Sequence, residues 1–367
     1  MQTPRERILA AVNHEPPDVT PVNISNLYDP ERCLDHYGAA DALDLRQKMG
    51  LDVQYARPVY TGKCAARKLS MYGTPIEGVF GAEGSGYGDA RGGYPLAEAK
   101  TVRDVERFDW PDPDDFDCQA AATVLKAIPD EYAKRVDAKY GIAQPGKPNH
   151  ECQSGPWLPL ICTLFDLYGL DNACMKLATE PNVMSATVAK IEEFMLEFVQ
   201  RTCEATRGLA DFFFLGDDFA TQNGLMISPE YWCRYLGPTF RKLFELIKSY
   251  DMKVWFHSCG QFLPVLPDLV DYGMDVWETV QVHLQGNDPA MLKREFGRHI
   301  TFHGAISTQH TLPNGTPDDV RTEVRDRIRV LGEGGGYICA PDHGVMPDVP
   351  IANIEALISE ARSTNFN

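Results

Sequence analysis

The sequence lacks any long hydrophobic run, although 44% of its 367 residues are hydrophobic. A membrane-spanning helix needs about 20 consecutive apolar residues, so we expect no membrane partner. The helix that begins after Thr3 mixes acidic and basic residues where a secretory signal would have an apolar stretch. We therefore expect a cytoplasmic protein.

Positive charge is also scarce. The chain has 35 Lys and Arg against 52 Asp and Glu, a formal net charge of −17. Such a chain has little with which to neutralise a run of phosphates, so we expect no nucleic-acid partner. Its ten cysteines form no closely spaced framework, and in a cytoplasmic protein we expect them to be reduced.

Several catalytic motifs are missing as well. The sequence has no Gly-x-Ser-x-Gly elbow, no phosphate-binding P-loop and no His-Glu-x-x-His helix. These absences exclude the commonest hydrolase, nucleotide-binding and metalloprotease classes. No Gly-x-Gly-x-x-Gly turn follows the first strand, which disfavours a dinucleotide-binding sheet.

From about residue 136 onward, short apolar strands alternate with amphipathic helices. This alternation predicts parallel strands joined by crossover helices, and the number of units favours an α/β protein with a (β/α)8 TIM barrel. Residues 20–135, rich in Gly, Pro and Asp, are expected to hold the first strand with long inserted loops. No linker-like composition separates them from the rest, so we expect residues 1–367 to form one domain with an elaborated N-terminal region. The predicted strands are 211–215, 253–257, 275–278, 299–303 and 336–340.

The ends of these predicted strands carry polar residues, which is where barrel enzymes place their chemistry. His257 and Cys259 lie two apart in an extended segment, so their side chains point to the same side and can share one cation. A mixed nitrogen and sulfur set suits Zn²⁺. His343, after the last strand, is the predicted third ligand; Cys339 competes with it but can equally be packed in the barrel. His-x-Cys alone is also compatible with an ordinary buried pair.

Carboxylates follow the neighbouring strands. Glu278 can complete the metal set, or form an ion pair on the rim. Asp217 and Asp218 alternate sides, so we expect one of them to face the barrel mouth and the other to cap a loop or orient a neighbour. We assign these three carboxylates as catalytic candidates. The candidates for substrate binding are His150, Trp157 and Gln222.

Four segments together resemble the uroporphyrinogen decarboxylase superfamily. They begin at Thr3 (TPRERILAAVNH), Leu215 (LGDDFATQNGL), His257 (HSCG) and Gly335 (GGYICAPDHG). The resemblance covers nearly the whole chain, most firmly residues 150–365, and implies a (β/α)8 barrel.

The resemblance implies one of two chemistries. Decarboxylases of the superfamily use no metal and carry an N-terminal Arg-Gln-Ala-Gly-Arg motif for the substrate's carboxylates; here the segment from Pro21 reads PVNISNLYD. Cobalamin-dependent methyltransferases carry a His-x-Cys pair and a later cysteine as zinc ligands. His257 and Cys259 match the pair, but His343 stands at the position of the later cysteine.

The methyltransferase resemblance implies a zinc enzyme that moves a methyl group between a small methylated substrate, for example a methoxylated aromatic, and a corrinoid (cobalamin) on a separate protein. Such an enzyme would be a monomer or a homodimer. The alternatives are a metal-free decarboxylase of a porphyrinogen or related carboxylic acid, and a non-catalytic barrel that binds a tetrapyrrole or corrinoid partner.

Overall fold

The protein is described here from a computed structural model, which covers residues 1–61, 93–139, 141–142, 153–154 and 159–364. Within these ranges, no helix is both long enough and apolar enough to cross a bilayer.

Seven parallel strands form the main sheet, and each pairs with the strand that precedes it in chain order. Sequential parallel pairing requires a crossover between each pair of strands, as the alternating sequence pattern predicted. The strands are β1 (Val53–Ala56), β2 (Ala133–Asp137), β3 (Phe212–Gly216), β4 (Lys253–His257), β5 (Val276–Val280), β6 (Thr301–Ile306) and β7 (Tyr337–Pro341).

An extended segment at residues 21–24 lies between the two edges of this sheet. The amide of Cys339 in β7 donates to the carbonyl of Pro21 (2.9 Å), and the amide of Asn23 donates to the carbonyl of Cys339 (3.1 Å). On the other side, the amide of Asp52 donates to the carbonyl of Val22 (3.0 Å). The segment bonds to both edges and runs parallel to β7. It therefore closes the sheet as the eighth parallel element of a (β/α)8 barrel, which confirms the predicted fold.

The crossover helices and N-terminal helices surround the barrel. They span Pro4–Val12, Pro30–Tyr37, Ala42–Lys48, Val102–Glu106, Cys118–Ala127, Leu160–Tyr168, Leu170–Thr179, Pro181–Thr206, Pro229–Tyr231, Gly237–Lys248, Leu266–Tyr272, Pro289–Phe296, Thr311–Asn314, Pro317–Leu331 and Ile351–Ser363. Short strands outside the barrel are Val59–Tyr60, Phe116–Asp117, Gly141–Ile142, Gln153–Ser154, Ala220–Thr221 and Gly224–Leu225, and a 3-10 turn spans Pro113–Asp115.

One predicted helix differs from the observed structure. The pattern from Ser228 to Tyr250 predicted a continuous α-helix, but residues Trp232–Leu236 form a π-helical turn. Pro238 lies two residues after this turn, and proline has no amide hydrogen to continue the regular bonding of the helix. A π-turn widens the bonding pattern at such a point, so the helix continues without a break in the chain direction.

The first helix, Pro4–Val12, begins at Thr3 with the predicted capping box: Thr3 and Glu6 exchange hydrogen bonds. Its apolar face covers the end of the barrel where the strands begin. Ile8 and Val12 pack against Val53 and Phe212, which point into the barrel. The opposite end, where the strands finish, carries the polar residues described next.

Candidate metal centre

Three side chains with metal-binding atoms meet where the barrel strands end. His257 is the last residue of β4, Cys259 lies two residues further on, and His343 lies in the loop after β7. One donor atom from each of the three lies within 4.8 Å of the others. His257 is buried, whereas Cys259 and His343 are half-buried. The structure thus brings together the three ligands that the sequence predicted.

The backbone after His257 is fixed by contacts with its neighbours. Ser258 donates its amide hydrogen to the carbonyl of Glu278 (2.7 Å). Gly260 has a φ of +87°, and a Cβ there would lie 2.7 Å from the carbonyl oxygen of Thr221. Only glycine fits this conformation and this close approach. The His257-Ser-Cys-Gly260 sequence therefore holds imidazole and thiol at the same edge of the barrel.

The loop that carries His343 is held by the segment that follows the eighth barrel element. Val345 donates its amide to the carbonyl of Asn26 (2.9 Å), and Tyr28 donates its amide to the carbonyl of Val345 (3.0 Å). The Tyr28 ring lies so close to Gly344 that a Cβ there would be 2.3 Å from it. Backbone pairing and this close contact fix His343 opposite His257; the two ring centroids are 6.1 Å apart.

Two carboxylates lie on opposite sides of the His257 ring. Its Nε2 is 3.5 Å from an oxygen of Asp218, and its Nδ1 is 3.6 Å from Glu278 Oε1. Burial alone would lower the pKa of His257, but Asp218, Cys259 and Glu278 raise it well above the ordinary value. A carboxylate behind an imidazole fixes the ring's orientation and tautomer, as is usual for metal-binding histidines.

We call His257, Cys259 and His343 the triad. Burial shifts the pKa values of Cys259 and His343 in opposite directions. Burial raises the pKa of the Cys259 thiol, and the negative charge of Asp218 raises it further. Burial lowers the pKa of His343, and His257 lowers it further, so this imidazole is neutral near pH 7. A neutral imidazole has a lone pair for a metal, whereas a thiol must lose its proton when a metal binds.

The donor set fits Zn²⁺. Two imidazole nitrogens and one thiolate are ordinary zinc ligands, and a site with three protein ligands leaves a fourth position for a substrate. Zinc–nitrogen and zinc–sulfur bonds of about 2.0–2.3 Å place tetrahedral ligands roughly 3.5 Å from one another. The three donors lie within 4.8 Å of one another. Side-chain rotations that move these atoms by about 1 Å would bring them to tetrahedral zinc-binding distances.

Asp217 and Asp218 point in different directions, as their adjacency predicted. Asp218 faces the triad and accepts the amide of Cys259 (3.4 Å). Asp217 is fully buried and accepts the amides of Ile161 (2.8 Å) and Cys162 (3.5 Å), at the start of the helix Leu160–Tyr168. Burial raises the pKa of Asp217 to about 7. Asp217 therefore caps a helix, and Asp218 is the member of this pair that contacts the candidate metal centre.

Glu278 is the centre of a buried hydrogen-bond network. Its Oε2 accepts from Trp255 Nε1 (2.6 Å), Ser25 Oγ (2.8 Å) and Arg135 Nη1 (3.1 Å). Burial alone would raise the pKa of Glu278, but His303, His257 and Arg135 lower it well below the ordinary value. Glu278 is thus an ionised carboxylate that faces the interior, rather than an ion-pair partner on the rim.

Cys339 does not join the triad. Its strand neighbour Ile338 points into the barrel, so Cys339 points outward and packs in the core between sheet and helices. Burial raises its pKa to about 12. The interpretation of Cys339 as a ligand is therefore corrected: it is a packed residue, which was the other predicted possibility.

The three substrate-binding candidates remain predictions. Gln222 lies in the exposed turn between the short strands Ala220–Thr221 and Gly224–Leu225, a hairpin that packs against Gly260. His150 and Trp157 lie outside the described residues.

Sequence reasoning missed several charged residues in the barrel interior. Arg135 in β2 is almost fully buried and bonds to both Asp137 and Glu278. Its guanidinium lies 4.2 Å from the ring centroid of Phe214. The signal was present in the sequence, because Arg135 and Asp137 are two apart in a strand and so face the same side. Arg135 lies at the end of a segment that we interpreted as long loops, so the common face of Arg135 and Asp137 was not recognised.

The fold and site define a (β/α)8 barrel with a candidate metal centre at the ends of its strands. The family model described as uroporphyrinogen decarboxylase (URO-D) matches residues 80–364, which is more than half of the chain. The chain therefore belongs to the uroporphyrinogen decarboxylase family.

The similar curated proteins include both methyltransferases and decarboxylases. A methylcobamide:CoM methyltransferase of Methanosarcina barkeri is 29% identical over 150 residues, 41% of each chain. A methylated-thiol–coenzyme M methyltransferase of Methanosarcina mazei is 25% identical over 276 residues, 74% of this chain and 65% of the relative. A uroporphyrinogen decarboxylase of Chlorobium phaeobacteroides is 24% identical over 187 residues, 49% of this chain and 48% of the relative. The matches thus cover less than two thirds of each relative's length.

A solved structure supports the fold. A methyltransferase from Methanosarcina mazei superposes with a TM-score of 0.63 and 18% sequence identity, and the match covers 99% of both chains. At this level of identity the likeness shows the shared barrel and carries no information on the substrate.

Proposed function

We propose that this protein is a zinc-dependent methyltransferase that moves a methyl group between a small methylated substrate and a corrinoid carried by a partner protein. The observation that carries the proposal is the convergence of His257, Cys259 and His343 within 4.8 Å. The similarity to a methylcobamide:CoM methyltransferase and a methylated-thiol methyltransferase supports the class of reaction.

His257, Cys259 and His343 would hold the zinc ion. When bound, zinc supplies a Lewis acid that polarises a substrate oxygen or lowers the pKa of a substrate thiol. Glu278 orients the His257 ring from the Nδ1 side, and Asp218 fixes the backbone of Cys259. These contacts keep the donor atoms in place, so little reorganisation is needed when the substrate binds.

The methyl group passes as a formal cation, and the substrate heteroatom keeps the bonding electron pair. In the demethylation direction the heteroatom would take up a proton from solvent, and the corrinoid of the partner protein would supply, as Co(I), the electron pair that accepts the methyl group. We propose a methoxylated aromatic as the methyl donor. Two aromatic rings beside the site support this choice: Phe214, whose ring centroid lies 6.2 Å from that of His257, and Tyr28, which contacts Gly344. A neutral His343 in place of a thiolate supports an oxygen substrate, because it leaves more positive charge at the metal.

Metal analysis tests the site directly. The purified protein is expected to contain about one zinc per chain, and His257→Ala, Cys259→Ala and His343→Ala are each expected to lose most of it. Cys339→Ala is the matched control: it also removes a buried cysteine thiol, but from the outer face of β7, so its zinc content should equal the wild type. Absence of zinc from unchelated wild-type protein, or equal loss in the control, would contradict the proposal.

Methyl transfer needs its own assay. Protein with free cob(I)alamin and a methoxylated aromatic is expected to give methylcobalamin, detected by its absorbance change, and Cys259→Ala should abolish it. The similarity to uroporphyrinogen decarboxylase keeps decarboxylation of a carboxylic acid as the second candidate. Conversion of uroporphyrinogen to coproporphyrinogen by metal-free protein would favour that second candidate instead.

A further inference from the structure

The two loops that carry the triad follow strands that do not pair with each other. Cys259 follows β4 and His343 follows β7, and β5 and β6 lie between these strands in the sheet. The spacing of the triad therefore depends on what connects the strand ends. We propose that the loop after β5, residues 281–287, holds the two metal-binding loops at the spacing that zinc needs, with Gln281 and His283 as positioning residues. This inference rests on the proposed function, since it concerns the same metal.

Gln281 fixes the loop that carries Cys259. Its side chain is buried, and its Oε1 accepts the amide of Gly260 (2.8 Å), the residue directly after Cys259. Asp218 accepts the amide of Cys259 itself (3.4 Å). Two consecutive amides of this loop are thus bonded to side chains, and the bond to Gln281 ties the loop to the end of β5.

The loop after β5 is itself fixed by buried hydrogen bonds. Asn287 is fully buried, and its Nδ2 donates to the carbonyl of Gln281 (3.1 Å). The amide of Asn287 donates to the carbonyl of Leu284 (3.0 Å). Gly286 has a φ of +94°, and a Cβ there would lie 3.0 Å from Gln261 Nε2, so the loop packs closely against the segment after β4. The loop can therefore hold its two neighbours at a constant distance.

His283 contacts the other metal-binding loop through Asp342, which directly precedes His343. His283 Nδ1 lies 3.1 Å from Asp342 Oδ2. The other oxygen, Oδ1, accepts the amide (2.9 Å) and the hydroxyl (2.7 Å) of Thr308, in the loop after β6. The amide of Asp342 donates to the carbonyl of Ile306 (2.8 Å), at the end of β6. Because this carboxylate is fully buried, losing a partner is costly, so His283 holds it and the adjoining His343 in place.

These contacts form a continuous path from one side of the triad to the other. Gln281 and His283 are two residues apart, and each bonds to a different metal-binding loop. Breaking the contact at one end should leave the ligand at the other end in place. Loss of a residue that orients a metal ligand typically lowers metal affinity about 10–100-fold. The loss should also differ in kind, because one contact holds the thiolate ligand and the other holds an imidazole ligand.

Cobalt(II) in place of zinc makes this difference visible, because the cobalt–thiolate bond has its own near-ultraviolet absorption band. Binding of Co²⁺ to the full chain is followed by that band, and Zn²⁺ affinity is measured by competition with a chromophoric chelator. Gln281→Met keeps the side-chain volume but removes the acceptor, and should weaken both the thiolate band and the Zn²⁺ affinity, the latter about tenfold or more. His283→Ala should lower the Zn²⁺ affinity by a similar factor and keep the thiolate band at saturating cobalt.

Conservative variants and one control separate positioning from a general loss of structure. Gln281→Glu keeps an oxygen at the place of Oε1, and His283→Asn offers an amide nitrogen at the place of Nδ1, so both should regain most of the affinity. His36→Ala removes a comparable pair with Glu355 (2.9 Å) between two outer helices and should bind metal like the wild type. Affinities are compared at equal folded fraction, measured by circular dichroism. Gln281→Asn, shorter by one methylene group, replaces the methionine variant if that variant does not fold.

The possible outcomes separate this inference from the proposed function. The inference is overturned if Gln281→Met and His283→Ala bind zinc as tightly as the wild type, if His36→Ala shares their loss, or if the conservative variants bind no better. The proposed function then still stands, provided that the wild type binds zinc and forms methylcobalamin. Weakened metal binding in both site variants of a protein that forms no methylcobalamin would retain the positioning role and refute the proposed function. A wild type that binds neither metal refutes both.

Discussion

Replacing Glu278 by alanine should destabilise the protein strongly, because this carboxylate holds the barrel interior together. Glu278 is fully buried, and its Oε2 accepts hydrogen bonds from Trp255, Ser25 and Arg135. The alanine variant would leave these donors without their acceptor and Arg135 with Asp137 as its remaining carboxylate partner. Water has little access to replace the lost bonds at this depth.

The expected loss follows from the number and kind of the bonds. Removing one partner of a buried ion pair costs about 3–5 kcal/mol, and a hydrogen bond to a charged group contributes about 1.5–3 kcal/mol. These effects overlap, so we expect a loss of about 3–5 kcal/mol. Since proteins are stable by about 5–15 kcal/mol, the variant should remain folded but close to the threshold.

Urea unfolding followed by tryptophan fluorescence measures this loss. With a denaturant dependence of about 3 kcal/mol per molar urea, the midpoint should fall by about 1–1.7 M. The urea midpoint of Glu278→Gln should fall less than that of the alanine variant, because the amide oxygen can still accept one or two of the hydrogen bonds. Glu197→Ala breaks an exposed pair with Arg201 and should change stability by less than about 1 kcal/mol. A loss below about 1 kcal/mol in Glu278→Ala would refute the network as described.

Two further perturbations test the structure away from the triad. Burial raises the pKa of Asp217 to about 7, against about 3.9 in the unfolded chain, so the wild type should lose stability as pH rises from about 4 to about 7. Asp217→Asn removes this titration. The free energy of unfolding of the variant, minus that of the wild type, should therefore increase between about pH 4 and pH 7 by at most about 4 kcal/mol and stay constant at higher pH. Parallel pH profiles of the two proteins would contradict the raised pKa of Asp217. Ile8→Ala should lower the free energy of unfolding in urea by about 2–5 kcal/mol, because Ile8 packs into the end of the barrel where the strands begin (the lower end). An unchanged stability would mean that the first helix does not close this end.

The barrel could be predicted from the sequence because its strands and helices alternate with clear periods. The predicted strand at 253–257 matches β4 residue for residue, and the others agree within a few residues at each end. The first helix was predicted from its capping box, which is a local signal. The closing element at residues 21–24 could not be recognised, since its hydrogen bonds go to β7 and to Asp52, far away in the sequence.

The candidate metal centre was predictable for a different reason. His257 and Cys259 share one strand end, so their spacing alone places them on one side, and the barrel rule brings the end of β7 to the same face. The choice between His343 and Cys339 needed the direction of side chains in β7, which depends on register. Once Ile338 is seen to face inward, Cys339 must face outward.

The interior charges could not be predicted, because they depend on three-dimensional neighbours that no local pattern reveals. Arg135 lies against Glu278 although 143 positions separate them in the chain. A barrel interior is usually filled by branched apolar side chains, and here that applies only to the lower end, around Val53 and Val276. The upper part is a hydrogen-bonded network of fixed charges. Such a network holds its dipoles in place before a substrate arrives, which is the condition under which a polar site stabilises developing charge.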